Sequence, residues 1–262
     1  MGLAMEILSG KATNPSTIFT AWTMATGDSL TVRNIPPGTN AWLVDAWALG
    51  ATKGILRVRS PRMHDNVQGI RMPYAASTPV PLLTGWENEL LQNTDTLTVD
   101  MTGGGAETDC GSLLVYYDNL PGADARLATW QEIAPRVRHI MGVEVDITTG
   151  GTAGDYGGGT AINATFDQFK ADQDYAVLGY VTDTAVASIG MRGPDFGNLR
   201  LGGPGTNNKI ETRDWFVRLG TFLGRPTIPI IKANNKAGTI VDALHTATGT
   251  AIVVSFLCAQ LG

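Results

Sequence analysis

Charge is scarce in this chain. Asp, Glu, Lys and Arg make up 16% of its 262 residues, against about 25% in ordinary soluble domains. The hydrophobic share is 43%, so a disordered, solvating tail is excluded: there is ample apolar surface to offset ordering entropy. A coiled coil, which needs abundant Glu, Lys and Leu, is excluded too. Basic residues are outnumbered 19 to 24, giving a net charge of −5, which argues against direct nucleic-acid binding as the main task. Only two cysteines occur, Cys110 and Cys258, with no CxxC and no zinc spacing. They read as two free, buried thiols, with a disulfide as the alternative. Three histidines, His64, His139 and His245, form no HxH or HExxH pair, which weighs against a bicupin-type metal enzyme. The longest apolar run, near 251–257, is far shorter than the ~20 residues of a membrane-spanning helix. Residues 1–6 (Met-Gly-Leu-Ala-Met-Glu) lack the basic and apolar regions of a secretory signal, so a soluble chain is expected.

What is present is mostly strand signal. Residues 29–33 and 54–59 alternate in polarity, as do 96–101. Residues 42–49 are an apolar run, and 113–117 a short continuous one of the kind buried on both faces. Period 2, β-branched and aromatic residues, and Gly/Pro punctuation predict strands in a sandwich or barrel. Helix signals are few: 84–91 and 123–133, the latter with Leu127, Trp130 and Ile133 spaced by three. Residues 148–160 hold six glycines. With no following Lys-Ser/Thr pair they are no phosphate loop, and they predict an exposed or interface loop.

The two halves resemble each other. At an offset of 133, Trp42, Val44 and Trp47 fall on Tyr175, Val177 and Tyr180. Arg59-Ser60-Pro61 falls on Arg192-Gly193-Pro194, and Gly69 on Gly202. Further on, Thr96-Leu97 matches Thr239-Ile240, and 112–117 matches 251–256. A period above 100 residues implies two whole domains. The expected layout is an arm at 1–16, a first sandwich at 17–120, a connector at 121–140 and a second sandwich at 141–262.

No catalytic, cofactor or metal residue is assigned. Asp167, Asp172 and Asp174, and the close pair Glu87 and Glu89, read as solvated loop carboxylates rather than a glycosidase pair. Glu144 and Asp146 lack the ladder of a calcium loop. Arg57, Arg59, Arg62 and Arg71 form one basic group; Arg136, Arg138 and His139 form another. Each is a patch for an acidic neighbour or the solvated face of a strand. Arg59 and Arg192, placed alike in the repeat, are expected to make the same structural hydrogen bonds. The tryptophans (Trp22, Trp42, Trp47, Trp86, Trp130, Trp215) suit core and interface packing. Trp42 and Trp47 would face opposite ways in an unbroken strand.

Two tandem all-β domains without a catalytic constellation resemble the double jelly-roll major capsid proteins of tailless icosahedral viruses, bacteriophages among them. The resemblance is architectural and spans roughly 17–262. It implies an all-β fold of two tandem jelly-roll-like β-sandwich domains with a few short helices. It also implies a homotrimer that tiles a shell and catalyses nothing. Implied partners are neighbouring capsomers, other virion proteins and, in membrane-containing members, an internal viral membrane. The implied location is the virion, after synthesis in host cytoplasm. The competing expectations are a tandem β-sandwich binding module (a lectin, viral spike or decoration protein) and a carbohydrate-active enzyme with a scattered site.

Overall fold

The computed structural model describes residues 2–25, 37–60, 67–74, 89–91, 97–105, 107–206 and 212–262. The first half contributes β1 (Ala4–Thr13), β2 (Thr20–Ala21), β3 (Thr23–Met24), β4 (Asn40–Leu49), β5 (Gly54–Arg59), β6 (Ile70–Tyr74), β7 (Glu89–Leu91), β8 (Thr98–Thr102) and β9 (Thr108–Asp118). The second contributes β10 (Leu127–Ala128), α1 (Trp130–Ile133), β11 (Val137–Thr148), β12 (Thr160–Ala161), β13 (Asp174–Thr182), β14 (Val186–Arg192) and β15 (Leu201–Gly205). There follow α2 (Trp215–Leu223), β16 (Ile228–Lys232), β17 (Ile240–Leu244) and β18 (Ala251–Leu261).

These strands form four antiparallel sheets. The first has the order β3-β1-β9-β4-β7 and the second β2-β8-β5-β6. The third is β10-β16-β13-β18-β11 and the fourth β12-β17-β14-β15. Apart from the short edge strands β3 and β10, the halves have one topology. β1-β9-β4-β7 matches β11-β18-β13-β16, and β2-β8-β5-β6 matches β12-β17-β14-β15. Each half is an eight-stranded jelly-roll sandwich, so the fold class expected from the sequence is observed.

Burial orders the sheets into a stack. β4 and β9 are buried along nearly their whole length, and so are β14 and β15. β11 instead alternates buried and exposed, and β5 and β6 alternate too. The first and fourth sheets are therefore covered on both faces and lie in the middle; the second and third are outermost, each with one face that no other sheet among the described residues covers. This explains the apolar runs in β4 and β9 and the alternation in β5: a strand with two covered faces has no polar side to show.

Several expectations are corrected. Residues 4–13 are no arm: β1 pairs with β9 over ten positions and is the first strand of the first sandwich. The connector is shorter than 121–140, because β11 begins at Val137. The helix expected over 123–133 is confined to α1, where Thr129 caps the Glu132 amide and Glu132 returns the bond; Leu127 lies instead in β10. Of the helix expected at 84–91, residues 89–91 are strand β7, and 84–88 lie outside the described residues. So do the strand expected at 29–33 and Pro61, Arg62, His64, Trp86, Glu87 and Thr96. Helix α2 was not expected. It buries Trp215, Phe216 and Leu219 on one stripe and stops at Gly224, whose φ of 63° suits a glycine C-cap.

The repeat is real in topology and corrected in register. β4 and β13 each carry a bulge against the last strand of their sandwich, between Leu43 and Asp45 and between Val177 and Gly179. Aligned on these bulges, Trp42 falls on Ala176 rather than Tyr175, and Ser112 on Ser255 rather than Ala251. The bulge also changes the parity of β4. Trp42 lies opposite Tyr116 and Trp47 opposite Ser112, so both indoles share the outer face, contrary to the reading of an unbroken strand.

Candidate assembly interface

Each sandwich carries the same polar cluster on the outer face of its smaller sheet. In the first, Asp100 of β8 lies opposite Arg57 of β5. Its carboxylate accepts from Arg57 Nε at 2.6 Å and Nη2 at 2.9 Å, and from Arg59 Nη2 at 2.6 Å. The Arg57 guanidinium lies 3.7 Å over the Phe19 ring, and its hydrogen bonds to Asp100 hold its pKa above the ordinary value. In the second, Asp242 of β17 accepts from Arg200 at 3.0 and 3.1 Å and from Arg192 at 3.3 Å. The Arg200 guanidinium lies 3.8 Å over the Tyr156 ring. Burial pushes the Asp242 carboxyl upward against the pull of both arginines. Arg59 and Arg192 thus make the equivalent bonds expected of them.

The clusters differ in one exchange. Gly190 lies opposite Asp242, where Arg57 lies opposite Asp100. A Cβ on Gly190 would come within 2.5–2.7 Å of Arg200 Cδ and Cγ and Asp242 Oδ1. The missing side chain is the space through which Arg200 reaches the carboxylate.

The second cluster is covered by the first sandwich. β14 lies against β4 and β9, and β15 against β1. Trp47 Nε1 donates to the Ala187 carbonyl at 2.7 Å, and its ring meets Trp215 edge-on at 6.1 Å. Ser112 and Ser188 share a hydrogen bond of 2.5 Å, Ser9 and Ser112 one of 2.7 Å, and Ser9 and Tyr156 one of 2.9 Å. At the rim, Lys11 Nζ lies 2.7 Å from Asp155 Oδ1, and Arg225 lies 4.0 Å over Trp42. The glycine-rich loop is part of this interface: Gly154, at φ 73°, sits against the Lys11 side chain.

Among the described residues, no second sandwich covers the first cluster. Beside it opens a groove of about 750 Å³ lined by Phe19, Gly54, Ile55, Pro73, Tyr74 and Thr102, with Lys53 at its edge. Arg71 is exposed and 5.5 Å over Phe19. At the other end of the stack, the outer face of the third sheet presents Ile140, 42% exposed, with Glu144 and Asp146 also exposed. Val253, Leu257 and Val181 are half-buried there.

The remaining candidates do not converge on a reactive centre. His139 is exposed on β11. The His245 Nδ1 accepts the Ala247 amide at 2.8 Å, and burial lowers its pKa. Asp167 pairs with Lys236 at 2.6 Å, which lowers its pKa, and Asp174 pairs with Arg126 at 2.8 Å. Asp172 sits in a turn at φ 60°. Arg136 bonds the Gly262 carbonyl, apart from the first basic group. Cys110 and Cys258 are free and buried, and burial lifts the Cys258 thiol to about 12. Among the described residues no three His, Cys, Asp or Glu are grouped as metal ligands, and no helix is long and apolar enough to cross a membrane. Arg200, Tyr156 and Phe19 were missed from the sequence. The available signal was Gly190, which stands where the 133-residue offset demands an arginine.

No protein-family profile and no curated protein sequence matches the chain. Solved structures similar to it include the following two. One is the PBSX exported protein XepA, with 12% identity, covering 97% of this chain and 86% of that one, at a TM-score of 0.24. The other is a chain of the atomic structure of Sulfolobus Turreted Icosahedral Virus, with 8% identity, covering 100% of this chain and 91% of that one, at a TM-score of 0.23.

Proposed function

We propose that this chain is a structural subunit that tiles with copies of itself: a major capsid protein of an icosahedral virion, associating as homotrimers and catalysing nothing. One observation carries the reading. The contact inside the chain joins two different faces of one repeated sandwich: the outer face of a larger sheet meets the outer face of a smaller one. A heterologous contact of this kind leaves its two complementary faces at the ends, and its repetition gives a ring when the rotation per step closes. Three copies would supply six sandwiches to such a tile. The low charge content suits a subunit whose lateral surfaces are covered by neighbours. Neighbouring tiles and other virion proteins are the proposed partners, with an internal membrane where the virion has one.

Size-exclusion chromatography with light scattering, followed by electron microscopy of the purified chain, tests this. The expected result is a particle of three times the 27.7 kDa chain mass, six-lobed in projection. A strict monomer at every concentration, or a monodisperse monomer that binds a glycan array, overturns it.

A further inference from the structure

We infer which surfaces join the copies: the outer face of the third sheet of one copy seats on the outer face of the second sheet of the next, in the register used inside the chain. This rests on the self-assembly reading and deepens it.

The argument is residue by residue. Pairing partners give the equivalences. Ser9 lies opposite Ser112 and Glu144 opposite Ser255, while Trp47 lies opposite Ser112 and Val181 opposite Ser255. With Ser112 on Ser255, the outward row Met5, Ile7, Ser9, Lys11 of β1 falls on Ile140, Gly142, Glu144, Asp146 of β11, and Trp47 falls on Val181. On the receiving side, the 133-residue offset puts Ala187 and Ser188 on Gly54 and Ile55. Trp47 sits on Ala187 and Ser188 inside the chain. The same place on the first sandwich is the groove lined by Gly54 and Ile55. The open groove is therefore the counterpart of a seat already filled once, and Val181 of the next copy is its occupant.

Charge completes the match. Inside the chain Ser9 meets Tyr156, the ring beneath Arg200. The counterpart brings Glu144 to Phe19, the ring beneath Arg57 and beside Arg71. Glu144 and Asp146 thus face a patch of Arg57, Arg59, Arg71 and Lys53 in which Asp100 is the one carboxylate on the described strands. Complementary faces of this kind fix partner and register.

Sedimentation velocity on the full chain tests the pairing, with thermal melts confirming that each variant folds. Glu144→Arg and Arg71→Glu alone should each weaken association at least about tenfold, and the double variant should recover it. In parallel, Ile55→Cys/Val181→Cys treated with a short bis-maleimide should give covalent multimers that neither single variant gives. If the wild type associates but both reversals leave it intact, if the double variant stays dissociated, or if no multimers form, the pairing is overturned and self-assembly stands through another surface. A wild type that never associates overturns the self-assembly reading itself.

Discussion

The two sandwiches share a strand order and a buried carboxylate, yet they complete the carboxylate's surroundings in different ways. In the first, both arginines come from β5, on alternate positions of one strand face. In the second, β14 supplies only Arg192. Its other position is Gly190, and the second guanidinium arrives from Arg200 beside β15. Asp242 is fully buried, and the Arg200 side chain is 8% exposed, against 13% and 22% for Arg57 and Arg59. The lesson is that one electrostatic solution survives a change in which strand provides it. What it costs to break depends on what lies above it: a packed sandwich over Asp242, and over the likewise buried Asp100 two arginines that keep some contact with water.

That contrast is sharpened most by the same substitution in both places. Asp242→Ala strands Arg200 without its partner beneath another sandwich and should cost about 3–5 kcal/mol. Asp100→Ala leaves its arginines near water and should cost roughly 1–2 kcal/mol. Urea midpoints of the two variants measure this, and equal losses would break the comparison. Next in size is Gly190→Ala. Its methyl group would press on Arg200 and the carboxylate, and over-packing of this kind costs roughly 1–3 kcal/mol. A neutral Gly190→Ala would show that the arginine's path is not confined. The smallest effect concerns pH. Burial lowers the folded-state pKa of His245 below its ordinary 6.5, so the unfolded chain takes up the proton first. Stability is therefore lost as the pH falls from about 6.5 towards the folded-state value. Between pH 7.5 and 5.5 the wild type should lose on the order of 1–2 °C more in Tm than His245→Asn; an equal slope would remove the effect.

Much of the fold was legible because strands carry their environment in their pattern. Residues 54–59 alternate, and β5 has those bounds with one open face. Residues 113–117 form an apolar run, and β9 is covered twice. The repeat was readable at Arg59 and Arg192 because both must reach a carboxylate two strand positions away. It slipped elsewhere for a physical reason: β4 and β13 align at an offset of 134 and β5 and β14 at 133, because the turn between the strands is one residue shorter in the second half, and one gapless offset cannot serve both. β1 escaped notice because Ser9, Gly10 and Lys11 interrupt its apolar run: Ser9 and Lys11 have their partners across the interface, in Tyr156 and Asp155, and Gly10 leaves room for the Trp22 ring of the same sandwich. The open faces were invisible for the same reason. Glu144 and Arg71 look like ordinary solvated charges until the stack shows which of its surfaces are already matched.

The order of the sheets has a consequence for biosynthesis. β14 begins at residue 186, 68 positions after β9 ends at 118. A nascent chain that has finished its first sandwich therefore presents Trp47, Leu114 and Ile7 to water until β14 and β15 leave the ribosome. The halves are sequential in synthesis but joint in maturation, and the exposed interval falls in the middle of translation.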